Sequence, residues 1–192
     1  MVLKLSDPLL HLRTINATDE ESLCQIYSST RTEELDQLTD WTATQKNVFL
    51  RSQFVAQHAY YQNNYKGAHF WVIEYGSQII GRLYLDTHYE GTSIRIIDIA
   101  LLPEWRNRGI GKRILMDVLD LAKSMGSSVT IHVESFNPAM KLYERLGFVL
   151  VSKTNGVYHL FEWKATSPVT RQNITSKQQA SHDSRTTAFN GR

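Results

Sequence analysis

The stretch PEWRNRGIGKRIL, Pro103–Leu115, gathers Arg106, Arg108, Lys112 and Arg113 around two glycines, Gly109 and Gly111. It follows an apolar run, IRIIDIALL, and opens a helical pattern. A helix start offers unpaired backbone N–H groups and about half a positive charge from the macrodipole. Glycine lets an anionic group approach the backbone closely. Together these are the parts of a diphosphate cradle. The nucleotide loop G-x-x-x-x-G-K-[ST] is excluded, because Gly109 and Gly111 are separated by Ile110 alone. The dinucleotide fingerprint G-x-G-x-x-G is excluded too, because Ile114 stands where the third glycine belongs. What remains is R-x-x-G-x-G, met by Arg106, Gly109 and Gly111. An ordinary basic turn before a helix satisfies the hexapeptide equally well.

The elements around this turn must place it. Ile94–Leu102 reads as a strand, the third of a meander whose first two are AHFWVIEY and IIGRLYLD. Gly109–Met125 places Ile110, Ile114, Val118, Ala122 and Met125 at helical spacing and stops at Gly126. SVTIHVE alternates Val129, Ile131 and Val133 against Thr130, His132 and Glu134, as a strand does. Asn137 and Pro138 supply an N-cap and a first-turn proline for a short helix ending at Gly147. FVLVSK and VYHLFEWK, joined by TNG, read as a closing hairpin. Before the meander, LLHLRTI suits a first strand, and ATDEESLCQIYSSTR a helix capped by Thr18. A polar linker, TEELDQLTDWTA, leads to a long helical pattern, TQKNVFLRSQFVAQHAYYQNNY. The order predicts a mixed α/β chain with one largely antiparallel sheet flanked by helices.

Composition narrows the function classes. The chain has 192 residues, of which 42% are hydrophobic and 21% charged, as in a soluble globular protein. No apolar run approaches the ~20 residues of a membrane span. The start, MVLKLSDPLLHLR, lacks the parts of a signal peptide. A single cysteine, Cys24, forbids an intrachain disulfide and fits a reducing cytoplasm. Residues 165–192 are polar, hold four of the Lys/Arg residues against one Asp, and read as a disordered tail after a domain over 1–164. The body then carries 17 Lys/Arg against 18 Asp/Glu, a balance that gives no argument for nucleic acid. The seven histidines show no metal-ligand spacing.

A second motif, NPAMKLYERLGF at Asn137–Phe148, lies one strand after the glycine helix. Together with IALLPEWRNRGIGKRIL it closely resembles the GNAT superfamily of acetyl-CoA-dependent N-acyltransferases. The resemblance implies a sheet with a central parallel strand pair that splays apart, here Ile94–Leu102 and Val129–Glu134. It implies that acetyl-CoA binds between them, its pantetheine arm along the backbone of Ile99, Ala100 and Leu101. Its diphosphate would meet the turn Arg106, Asn107, Arg108, Gly109, Ile110, Gly111 and Lys112. Asn137 resembles the family asparagine beside the cofactor arm, and Tyr143 the family tyrosine that protonates the departing thiolate. The spacing from Asn137 to Tyr143 is one residue shorter than in many members.

Three residues are candidates for the base that takes the amine's proton: His132, Asp98 and Glu134. Each has a plainer reading, as a core histidine, a structural partner for an arginine and a solvated strand end. The resemblance requires no metal. The acceptor is a small-molecule or protein amine, and neither the homodimer nor the monomer is excluded. Glu33, Glu34, Asp36 and Asp40 in the linker would suit a cationic amine, and Trp41, Tyr60, Tyr61 and Tyr65 could line its pocket. The rival to an enzyme is a catalytically weak CoA-binding module.

Overall fold

The computed structural model describes residues 3–165. The segment expected to be a disordered tail lies, apart from Ala165, outside them. The strands are β1 (Leu10–Thr14), β2 (His69–Tyr75), β3 (Gln78–Tyr89), β4 (Ser93–Leu101), β5 (Ser128–Glu134), β6 (Val149–Thr154) and β7 (Tyr158–Trp163). They form one sheet in the order β1-β2-β3-β4-β5-β7-β6. Every neighbouring pair is antiparallel except β4 and β5, which run parallel. The crossover between that pair is α4 (Ile110–Met125), as a parallel connection requires.

Helices cover both faces. Ile110, Ile114, Leu115, Val118 and Leu119 of α4 pack with Ile94, Ile96, Val129 and Ile131 on one face, joined by Tyr143 and Phe148. Tyr143 belongs to α5 (Met140–Arg145). On the other face lie α1 (Glu20–Ser29), α2 (Thr32–Asp36) and α3 (Ala43–Asn64). Leu23, Cys24, Ile26 and Tyr27 of α1 meet Leu50 and Phe54 of α3 there. Each large side chain so buried stabilises the fold by about 1.5–3 kcal/mol relative to exposure. Cys24 is a buried free thiol of this second cluster. Among the described residues, no helix is long and apolar enough to cross a membrane.

Two local expectations are corrected. The turn before α1 is capped by Asn16, not Thr18. The Asn16 side chain accepts from the Thr18 N–H, and Asp19 accepts from the Asn16 N–H, a reciprocal box that outcompetes the threonine. The linker holds a helix of its own, α2, because Leu35 is apolar enough to anchor it in the second cluster.

Gly81 of β3 brings β4 unusually close. A Cβ there would stand 2.4 Å from the Ala100 carbonyl oxygen and 2.7 Å from Leu101 Cδ2. Gly81→Ala is therefore expected to push the end of β4 away and to cost about 1–3 kcal/mol of stability. Urea denaturation measures the loss.

Candidate active site

Pairing between β4 and β5 runs from Ser93 opposite Ser128 to Ile96 opposite Ile131, and stops there. The break coincides with a bulge in β4. Leu85 faces Ile96 and Tyr84 faces Asp98, so Ile97 is the extra residue and the strand bends. Beyond it the Leu102 N–H donates to Ile80 on β3. Backbone groups of an antiparallel strand alternate sides. Asp98 and Ala100 thus also point at β3, while Ile99 and Leu101 turn their N–H groups into the gap. Of the three backbone residues expected along a pantetheine arm, Ala100 faces the wrong way, because its peptide groups serve the β3 ladder.

The glycine turn follows. Asn107 and Gly109 both have left-handed backbones, with φ of 59° and 78°. Gly109 is the N-cap of α4, and the first donation inside the helix is from the Arg113 N–H to the Gly109 carbonyl. Among the described residues, none accepts from the N–H groups of Asn107, Arg108, Gly109, Ile110, Gly111 or Lys112. A Cβ on Gly111 would touch only Leu101 Cδ1, at 3.9 Å, so the chain's own packing does not call for glycine there. The residue keeps open a space that a bound anion would use. Coenzyme A fits this frame: its diphosphate at the free N–H groups, its thiol-bearing arm in the gap between β4 and β5.

Arg106 has another duty than adding charge to that cradle. Its Nε donates to the Leu101 carbonyl at 2.8 Å. One terminal nitrogen donates to the Ser29 carbonyl and hydroxyl, at 3.1 and 2.8 Å. It ties the turn to β4 and α1. Arg108 lies 5.3 Å from the Trp105 ring centre. Lys112 is exposed at the start of α4.

At the gap lies a cavity of about 200 Å³, lined from the α1–α3 face by Tyr27, Gln57 and Tyr61 and from the α4 side by Ile131 and Tyr143. Tyr143, Asp98, His132, Glu134 and Asn137 all line it, so the structure gathers residues from β4, β5 and the start of α5. Tyr143 is 4% exposed and packs edge-on against Phe148, with ring centres 5.6 Å apart. Burial, reinforced by the Asp98 charge, raises its hydroxyl above the ordinary tyrosine range. At neutral pH it therefore holds its proton. Asn137 caps the turn into α5, its side-chain oxygen accepting from the Ala139 N–H at 2.9 Å. The regular helix begins only at Met140, later than the proline suggested.

The three candidate bases share one property: each is tied to an arginine. Asp98 Oδ2 accepts from Arg82 at 2.7 Å, and Arg82 also donates to Gln57 at 3.1 Å. Glu134 Oε1 pairs with Arg31 at 2.7 Å. His132 Nδ1 meets a terminal nitrogen of Arg95. Arginine can only donate, so Nδ1 is the accepting nitrogen and the proton of the neutral ring sits on Nε2. Burial and then the Arg95 charge hold that imidazole below its usual pKa.

These arginines were not singled out from the sequence. Arg82 in IIGRLYL and Arg95 in SIRIIDI carried a signal, since a charged residue inside an apolar strand run needs a partner. Arg31, in a polar segment, carried none. The expected acceptor lining is only partly found. Tyr61 lines the cavity, with Tyr27 and Tyr158. Trp41 and Tyr60 stay at the surface, and Tyr65 packs beside Tyr61 and Tyr89 instead. None of Glu33, Glu34, Asp36 and Asp40 reaches the cavity. Glu34 pairs with Arg31 and Asp36 with Lys46, as solvated groups on α2 do. Among the described residues, no group of three or more His, Cys, Asp and Glu side chains could hold a metal ion.

The pattern of the acetyltransferase (GNAT) family matches residues 24–148. An uncharacterized N-acetyltransferase of Bacillus subtilis, CgeE, is 32% identical over 82 residues, which is 42% of this chain and 31% of CgeE. The human cysteine-rich protein 2-binding protein is 35% identical over 79 residues, or 40% of this chain and 10% of that protein. The matched segments thus span less than a third of these curated relatives. The PaiA N-acetyltransferase of Thermoplasma acidophilum, solved in complex with coenzyme A, has the same fold, with a TM-score of 0.58. Identity there is 17%, over 81% of this chain and 98% of that one. With the family pattern covering well over half of its residues, through both the splayed strand pair and the glycine turn, the chain belongs to the acetyltransferase (GNAT) family.

Proposed function

We propose that this protein transfers an acetyl group from acetyl-CoA to a primary amine by direct attack. One observation carries the reading: the splayed end of β4 turns the Ile99 and Leu101 N–H groups into a gap with free turn N–H groups at one end and Tyr143 at the other. Acetyl-CoA, when bound, supplies an activated thioester. The turn Asn107–Lys112 holds the diphosphate through its N–H groups. The Ile99 and Leu101 N–H groups hold the pantetheine arm and meet the negative charge that develops on the acyl oxygen. Tyr143 keeps its proton at neutral pH and gives it to the thiolate. The Asn137 side-chain amide stands beside the arm.

The amine must shed a proton before it attacks. His132 does not suit this step, because Arg95 occupies its accepting nitrogen. Asp98 and Glu134 each bind arginine through one oxygen, and both residues line the cavity. Asp98 suits the role better, because it stands on β4 next to Ile99, whose N–H turns into the gap. The edge strand β6 leaves Val149, Leu150 and Val151 on the surface, which suits pairing with a second copy. Light scattering is expected to give the mass of a dimer. The buried lone cysteine accords with a reducing compartment.

The pairing of every candidate base with an arginine favours a second reading, a CoA-binding module with little turnover. Thiol release from acetyl-CoA across a panel of amines separates the two. Turnover with a defined amine, and its loss in Asp98→Asn, supports the enzyme. Calorimetric binding of CoA without turnover on any amine supports the module.

A further inference from the structure

The charges around the cavity narrow the acceptor. Of the two carboxylates that line it, Asp98 is matched by Arg82 at 2.7 Å, while Glu134 shares Arg31, at 2.7 Å, with Glu34. One cation beside them is unmatched. Arg95 is 5% exposed and forms no ion pair among the described residues. Its Nε is buried without a hydrogen-bond partner. Asp86 lies opposite it in the sheet, yet the Asp86 carboxylate accepts from the His88 N–H instead. The Tyr89 ring, 5.5 Å from the guanidinium carbon, supplies only its face. A buried guanidinium without an anion is costly, and a ligand that brings the anion recovers that cost.

Between Arg95 and the cavity stands His132. Arg95 takes its Nδ1, so the ring presents an N–H at Nε2 rather than a lone pair. A donor with a positive charge behind it fits an anionic oxygen. Thr130, opposite Arg95 on β5, adds a buried hydroxyl without a partner on the same strand face as His132.

We infer that the acceptor is an amino carboxylate, its amine directed toward Asp98 and its carboxylate received by the His132 Nε2–H with Arg95 behind it. This rests on the acyl-transfer reading. It makes His132 a specificity residue and Arg95 a positioning residue acting through it. It also sets the cavity against polycationic acceptors, which would bring further positive charge to an uncompensated guanidinium.

The test is thiol release from acetyl-CoA with the L-amino acids, the amines obtained by removing their carboxylates, and spermidine. The best amino acid is expected to exceed its decarboxylated amine in kcat/KM by about tenfold to a hundredfold, mostly through KM. Arg95→Met and His132→Leu should abolish that preference. Arg95→Lys keeps the charge, and His132→Gln keeps an N–H donor, so each should retain part of it, and thermal melts report whether each variant folds. Decarboxylated amines or spermidine turned over as well as the amino acids would overturn the inference and leave the acyl-transfer reading standing. So would a preference that survives His132→Leu. Failure of every amine to release thiol, from a protein that binds acetyl-CoA by calorimetry, would overturn the acyl-transfer reading and this inference with it.

Discussion

Tyr143→Phe is expected to lower kcat for acetyl transfer about a hundredfold, within the range typical of a lost general acid. The dissociation constant for acetyl-CoA and the melting temperature should hardly move. The substitution is informative because the ring has two neighbours that do not depend on the hydroxyl. Phe148 lies 5.6 Å and Phe161 6.5 Å from the Tyr143 ring centre, and a phenylalanine preserves both contacts. Only the hydroxyl, at the cavity, is removed. Burial raises its pKa, so it is protonated across the neutral range and can act as a donor there. A Phe variant with unchanged kcat, at saturating amine and acetyl-CoA, would show that the thiolate leaves without its help. Tyr143→Ala would be a poorer test, since it would also hollow the core that holds α5 to the sheet.

The frame around Tyr143 was legible because it depends on local patterns. Val129, Ile131 and Val133 alternate and are buried, as a strand with one face on the core must be. Ile110, Ile114 and Val118 repeat at helical spacing and face the sheet. Gly126, with φ of 63°, ends α4 where the glycine stood in the sequence. Asn155 and Gly156, both left-handed, turn the last hairpin. What the sequence did not show depends on contacts between distant segments. The Arg106 side chain crosses 77 positions to Ser29, and nothing in the motif says whether an arginine there meets a phosphate or a carbonyl. Arg31 and Glu134 are farther apart still, and only the fold shows them as a pair. The bulge at Ile97 has no mark either, because an isoleucine suits a regular strand as well as a bulged one. Yet that bulge separates β4 from β5 and turns Ile99 and Leu101 toward the gap.

The glycine turn gives the other large expected effect, because its two glycines answer to different demands. Gly109 is required by the fold. Its φ of 78° is one that side chains resist, so Gly109→Ala should lower stability by about 1–2 kcal/mol whatever it does to the cofactor. Gly111 is not so required. Its backbone is helical, and an added Cβ would meet only Leu101 Cδ1, at 3.9 Å. In the free protein Gly111→Val should be neutral, or stabilising by a few tenths of a kcal/mol through helix propensity, so roughly the same melting temperature is expected. Its side chain would nevertheless stand among the free N–H groups of the turn. A diphosphate held off them loses charge-assisted hydrogen bonds of about 1.5–3 kcal/mol each. Loss of even one or two raises the dissociation constant of acetyl-CoA about a hundredfold, as calorimetry would measure. Normal affinity in a folded Gly111→Val protein would mean that the diphosphate lies elsewhere. A weakened affinity with an unchanged melting temperature can come only from the ligand's side, since the chain itself leaves that space open.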